Sequence, residues 1–337
     1  MRWWRIWECS WIPRTDLRHD RRRITIKRFL CLLLCFVFTV QGCGYAADDL
    51  TAPGPDKDTD SADSSSAHET DEERRETIRR PEIGAEVIID PAYNFDPNEM
   101  SPWDFGGHFS EQSYITDVST YKIGEGTDAE NEVAVLTGEA EGPTVYVVAG
   151  VHGDEQAAWE TGNQLKKIKL KAGKLYVLSP ANRWGASKEP RSRYVTEKYD
   201  LNRSFPGDPN GDPAQRVADT IFRDIERLNP VFLFDLHEAR KNSENYDFLG
   251  SSLIYTDLTG MEDLYLGLLA ATATGEVGSE QFNFFAPGPI GSINNTVSTQ
   301  LKIPVITVET YRGYPLERRI GDQLDIVEYV LDYYGMI

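Results

Sequence analysis

Cysteine is missing from most of this chain. Its four cysteines, Cys9, Cys31, Cys35 and Cys43, all fall within the first 43 of 337 residues. The rest of the chain therefore holds neither a disulfide framework nor a thiolate metal site. Positive charge is scarce there too. After residue 43, 26 Lys and Arg stand against 51 Asp and Glu, a net of −25, whereas residues 1–43 carry nine against three. A body that acidic repels nucleic acid, so no nucleic-acid partner is expected. Long apolar runs are lacking: the clearest, Phe29 to Val40, has 12 residues, short for a bilayer span. With 40% hydrophobic and 26% charged residues the composition is that of an ordinary globular protein. It excludes a polytopic membrane protein, a collagen-like chain and a wholly disordered one. Histidine is rare, with only His108, His152 and His237 beyond residue 80.

The ends of the chain read differently from its middle. A basic cluster (Arg21, Arg22, Arg23, Lys27, Arg28) precedes the apolar run, which suits the core of a signal peptide over residues 1–43. Val40-Gln41-Gly42-Cys43 follows and resembles a bacterial lipobox, so Cys43 is the expected lipidation site. Ordinary cleavage near Gly44-Tyr45-Ala46-Ala47, releasing a secreted soluble protein, is the alternative, and a retained signal anchor is a third. An exported, cell-envelope protein is expected, touching membrane through its N-terminal lipid or anchor alone. Residues 44–80 are rich in Asp, Glu, Ser, Thr and Pro and read as a disordered acidic linker. Residues 81–337 are then the folded domain, long enough for one substantial core.

Within that domain, strand and helix patterns alternate. Glu132–Leu136, Thr144–Ala149, Lys174–Leu178, Val231–Leu236 and Ile303–Val308 are short apolar runs, as expected of buried strands. Val217, Ile221, Ile225 and Leu228 recur at helical spacing, as do Ile320, Leu324, Val327, Leu331 and Tyr334. Such alternation predicts an α/β fold with a mixed, mostly parallel central sheet. In that class, sites lie at the carboxyl ends of strands.

The polar oddities of the chain fall at those ends. Gly150-Val151-His152-Gly153-Asp154-Glu155 follows the run Thr144–Ala149. His152 and Glu155, three apart in a tight turn, can face one cation, although Asp154 and Glu155 would equally favour a helix N-terminus. Asp235-Leu236-His237-Glu238 closes another apolar run. A lone histidine there is more often a satisfied core residue. Two such histidines with Glu155 make a His2Glu set, which suits a catalytic zinc with its fourth position open. Asp200-Leu201-Asn202-Arg203-Ser204-Phe205-Pro206-Gly207 taken alone is a polar surface loop. Glu309 ends the β-branched run Val305–Val308, and a carboxylate there is costly unless it is paired, solvated or functional.

Taken in order, His152-x-x-Glu155, Asp200-Leu-Asn202-Arg203, His237 and Glu309 resemble the zinc carboxypeptidase superfamily. The strings GVHGDE and DLNRSFPG are similar to those of its succinylglutamate desuccinylase and aspartoacylase branch, over about residues 119–337. The resemblance implies a three-layer α/β/α fold and one zinc ion bound by His152, Glu155 and His237. It implies Glu309 as general base and acid, and Arg193 as the cation that polarises the scissile carbonyl, with Arg191 and Arg183 as competitors. It further implies Asn202 and Arg203 as holders of a substrate carboxylate, and Asp200 as the acid that orients the first zinc histidine.

Two departures qualify the substrate. Residues 266–310 contain neither Tyr nor Arg, where the carboxypeptidases and aspartoacylase place substrate-binding residues. Tyr311 and Arg312 are the candidates to stand in. Only 28 residues follow Glu309, fewer than the pocket-shaping C-terminal domain of aspartoacylase would need. The expectation is therefore an exported zinc amide hydrolase, carboxypeptidase-like, acting on a peptide next to a free carboxylate. An N-acyl amino acid deacylase or desuccinylase is the second reading. An inactive, zinc-loaded peptide-binding lipoprotein is the third, and Glu309 weighs against it, because a pure binder needs no general base.

Overall fold

A computed structural model describes residues 114–241, 249–256 and 258–337. The expected signal segment with Cys43, the linker 44–80 and His108 lie outside the described residues. So does the start of the expected catalytic domain. Among the described residues, no helix is long and apolar enough to cross a membrane.

Among the described residues, eight strands form one sheet: β1 (Asp117–Ile123), β2 (Asn131–Thr137), β3 (Ala140–Ala149), β4 (Ala172–Leu178), β5 (Phe232–Ala239), β6 (Ser252–Tyr255), β7 (Asn283–Phe285) and β8 (Val305–Tyr311). Their spatial order is β1-β2-β4-β3-β5-β8-β6-β7. The central block β4-β3-β5-β8 is parallel throughout. Antiparallel β1 and β2 extend one edge, and β6, antiparallel to β8, carries β7 at the other. The expected α/β fold with a mixed sheet is present.

The period-two alternation of the central strands sorts side chains between two helix layers. Val145, Val147, Phe232, Phe234, Leu236, Ile306 and Val308 pack on one face against α1 (Gln156–Leu165), α4 (Glu262–Thr274) and α6 (Leu316–Tyr333). Tyr146, Val148, Leu233 and Val305 pack on the other against α3 (Pro213–Leu228) and α5 (Ile293–Thr296). A short α2 (Arg183–Ser187) follows β4. The expected helical stripes become α3 and α6. Helix α3 starts at Pro213 behind an Asp212–Gln215 capping box and ends at Asn229 in the left-handed region. Tyr334 lies just past the end of α6, with its ring 5.8 Å from that of Phe232.

Two strands run further than their apolar runs. β5 continues through His237 and Glu238 to Ala239, and β8 through Glu309 to Tyr311. His237 and Glu309 are therefore register partners inside adjacent parallel strands rather than residues after their ends. His237 finds Glu155 and Asp235 on its own face and Glu238 finds Arg319 on the other, which an apolar pattern alone does not register.

Candidate metal centre and its cleft

The turn after β3 sets the first two site residues. Gly150 takes a φ of +73°, which lets the chain leave the strand sharply. Gly153 packs against the backbone of α2. A Cβ there would sit 2.2 Å from both Ala186 N and Gly185 C. Neither backbone atom can yield without moving α2, so Gly153→Ala is expected to cost at least about 1–3 kcal/mol. The same change would displace His152. A thermal melt and a zinc titration of the variant check both effects.

Glu155 occupies the N-cap position of α1, yet its side chain makes no capping hydrogen bond. It turns inward between two imidazoles instead. His152 Nδ1 lies 2.7 Å from Glu155 Oε1, and His237 Nδ1 lies 2.7 Å from Oε2. All three residues are almost wholly buried, and their ligand atoms lie within 4.8 Å of one another. Burial alone would raise the Glu155 pKa, but His152 and His237 outweigh it and hold the carboxyl well below its usual range. Burial alone would lower the His237 pKa, but Asp235 and Glu155 override it and raise it well above normal.

The outer nitrogens of both rings are also held. His152 Nε2 lies 3.2 Å from Asp200 Oδ1, and His237 Nε2 lies 2.9 Å from Asp235 Oδ1. Asp235 in turn accepts from Thr307 Oγ1 at 3.0 Å. A carboxylate lies beside each Nε2, and both Nδ1 atoms turn toward the shared Glu155. Two imidazole nitrogens and a carboxylate oxygen, converging in a buried pocket, fit a zinc ion.

The remaining predicted residues surround this cluster. Asp200 caps a 3-10 turn (Leu201–Arg203) by accepting from Asn202 N at 2.9 Å, and its other oxygen accepts from Arg193 Nε and Nη2 at 3.3 and 3.2 Å. Burial would raise the Asp200 pKa, but His152 and Arg193 outweigh it and lower it. Arg193 Nη1 also lies 3.7 Å from Glu155 Oε1, and its backbone carbonyl accepts from Asn182 Nδ2. The competing arginines are elsewhere. Arg183 donates to Glu130 O, and Arg191 lies over the Trp159 ring. Asn202 Nδ2 is 3.3 Å from His237 Nε2, and its Oδ1 accepts from Ile293 N. Arg203 is exposed and donates to Asn202 O. Glu309, 8% exposed, faces the same side of the sheet as His237. Burial, offset in part by the two histidines, pushes its pKa up to about 7.

These groups open onto a cleft of ≈ 380 Å³. Arg193, Asn202, Arg203, Arg240 and Lys241 line it along with His152, Glu155 and Glu309, and Ala239, Leu249, Ile254 and Pro289 supply apolar wall. Tyr311 and Arg312 are not among its lining residues. Tyr311 packs edge-on against Tyr314, and Arg312 donates to Asp154. Sequence reasoning missed Asp235 as the partner of His237. The signal was present, because residues two apart in a strand share a face. It also missed Glu238, buried on the opposite face, where it pairs with Arg319 and accepts from Ala157 N.

A parallel-centred α/β sheet with a buried His-Glu-His group at the carboxyl ends of its strands defines the class. Part of the chain is similar to known proteins of this kind. Residues 141–271 match the succinylglutamate desuccinylase/aspartoacylase catalytic domain. This match supports the resemblance to the succinylglutamate desuccinylase/aspartoacylase branch over that segment of the chain. It is 31% identical over 119 residues to N-alpha-acetyl-L-2,4-diaminobutyric acid deacetylase of Halomonas elongata. That match spans about a third of each protein, 34% of this chain and 34% of the deacetylase. Among solved structures, the product-bound ectoine utilization protein EutE of Ruegeria pomeroyi shares the fold with a TM-score of 0.51. It is 18% identical, over 67% of this chain and 69% of that one. The tripeptide-bound cell shape determinant Csd4 of Helicobacter pylori does so with a TM-score of 0.50 at 15% identity, over 66% and 56%.

Proposed function

We propose that this protein is an exported, zinc-dependent amide hydrolase that cleaves an amide next to a free carboxylate. The observation that carries the reading is the placement of Glu309 and Arg193 beside the His152–Glu155–His237 group, in a cleft rimmed by cations. Zinc held by that group supplies a water acidified to a pKa of about 7 and a Lewis acid for the carbonyl. Glu309, with its pKa near neutrality, accepts the proton of the attacking water and delivers it to the leaving amine. Arg193 faces the developing oxyanion, and one such donor is worth about 3–4 kcal/mol. Arg203 presents a planar, bidentate fork for the substrate carboxylate. In a body of net charge −25, these cations give an anionic substrate an attractive path to the site.

A peptide and an N-acyl amino acid both satisfy this chemistry. The deacetylase relative and the family as a whole favour the acyl reading. The tripeptide held by Csd4 favours the peptide one. Export rests on the signal-like residues 1–43, with Cys43 as the lipid-bearing residue. The test is to incubate the zinc-loaded protein with cell-wall stem peptides, free peptides and N-acyl amino acids, read by mass spectrometry. Release of a C-terminal residue identifies a carboxypeptidase, and release of an acyl group a deacylase. Turnover of neither by a protein that binds zinc stoichiometrically would sink the hydrolase reading in favour of a binding protein.

A further inference from the structure

Glu155 has a neighbour that hydrolysis as described does not use. Arg312 follows β8 by one residue, and its backbone N donates to Ala239 O at 2.9 Å, fixing it beside the end of β5. From there its Nη1 donates to Asp154 Oδ2 at 2.9 Å, while its Nη2 lies 3.4 Å from Glu155 Oε1. One guanidinium thus spans two consecutive carboxylates of the turn after β3. Asp154 Oδ2 also accepts from Arg240 Nη2 at 3.0 Å. Arg240 is 61% exposed, however, whereas Arg312 is 21% exposed and Asp154 16%. The packed member of the trio is Arg312. It is also the one that reaches Glu155.

We propose that Arg312 is a positioning residue for the metal centre. Anchored by Asp154, it restrains Glu155 in the orientation that turns one carboxylate oxygen to each imidazole. The inference rests on the reading of His152, Glu155 and His237 as a zinc site. A planar, two-pronged cation suits this task, because it can touch both acids at once. A lysine carries the same charge at a single point.

Charge and positioning predict opposite signs for Arg312→Gln, which makes the idea testable without activity. A cation beside a metal site repels the metal. If charge were all that mattered, Arg312→Gln would bind zinc more tightly, Asp154→Asn more weakly, and the double variant about as the wild type. If Arg312 positions Glu155, all three bind more weakly, by about 10–100-fold, and the double variant is no worse than either single one. Zinc affinity is measured on the full chain, stripped of metal and titrated against a competing chelator. Melting curves of the metal-free proteins serve as the folding control. Should Arg312→Gln not fold, Arg312→Lys carries the test. It is expected to remain weakened, and wild-type affinity in it would overturn the proposal. Arg312→Gln with unchanged or tighter zinc binding would do the same. A wild type that binds no zinc would instead remove the metal-site reading beneath it.

Discussion

Glu309→Gln is expected to lower kcat by about 10²–10⁴-fold, the usual worth of a general acid–base group, while leaving zinc bound. The substitution keeps shape and volume but cannot accept the proton. Glu309 is not one of the converging ligand atoms, which come from His152, Glu155 and His237. Zinc content therefore separates loss of the base from loss of the metal. The pH profile separates it again. Wild-type kcat/KM should rise with pH as Glu309 deprotonates, through a limb at or below pH 7. The metal-free group titrates at about 7, and a bound cation lowers that value. The variant should lack this limb. Metal-free stability offers a check with a defined sign. A carboxyl raised in the folded state stabilises fully below its unfolded pKa, and that contribution is lost as pH rises through the folded value. Metal-free wild type should thus lose stability between about pH 4.5 and 7 relative to Glu309→Gln. Unchanged kcat in the variant would sink the mechanism.

The three residues of the His-Glu-His group were legible in the sequence because chemistry is scarce in this chain. With few histidines and no cysteine beyond residue 43, a metal site had few residues to draw on, and two of them sat against apolar runs. The four parallel strands were legible for the same reason, as β-branched and aromatic runs too short to be helices. The strands β6 and β7 were not, at four and three residues, because their pairing is fixed by neighbours rather than by their own pattern. Nor was the strand order, since β3 lies between β4 and β5, and β8 enters from the far end of the chain. Tyr311 and Arg312 show the limit most clearly. Proximity to Glu309 in sequence suggested that they line the substrate site. Alternation along β8 turns Thr310 away from the Glu309 face, and the chain then bends so that Arg312 meets Asp154 instead. A residue's neighbours in a turn depend on where the next element goes, and short-range pattern does not carry that.

The same alternation accounts for the largest stability effect expected. Glu238 follows His237 in β5 and therefore points to the opposite face, into the layer of α1 and α6. There it is 3% exposed, pairs with Arg319 of α6 and accepts from Ala157 N at the start of α1. It joins the strand that carries His237 to α1 and α6. Arg319→Met removes the cation and leaves the carboxylate buried, which is expected to destabilise the protein by about 3–5 kcal/mol at neutral pH. Burial already raises the Glu238 pKa, with Arg319 pulling it down. Losing Arg319 raises it further. In the variant the folded state binds a proton that the unfolded state releases. The lost stability should then return in part as pH falls toward the usual carboxylate range, and diminish again as pH rises through the folded value. The double variant Glu238→Gln/Arg319→Met should recover much of the loss at neutral pH. It keeps an oxygen for Ala157 N and no longer buries a charge. Urea unfolding of the three proteins at pH 5 and pH 7.5 measures each term. If Arg319→Met alone is as stable as wild type at pH 7.5, or the double variant is no better than the single, the buried carboxylate is not what holds β5 against its helices.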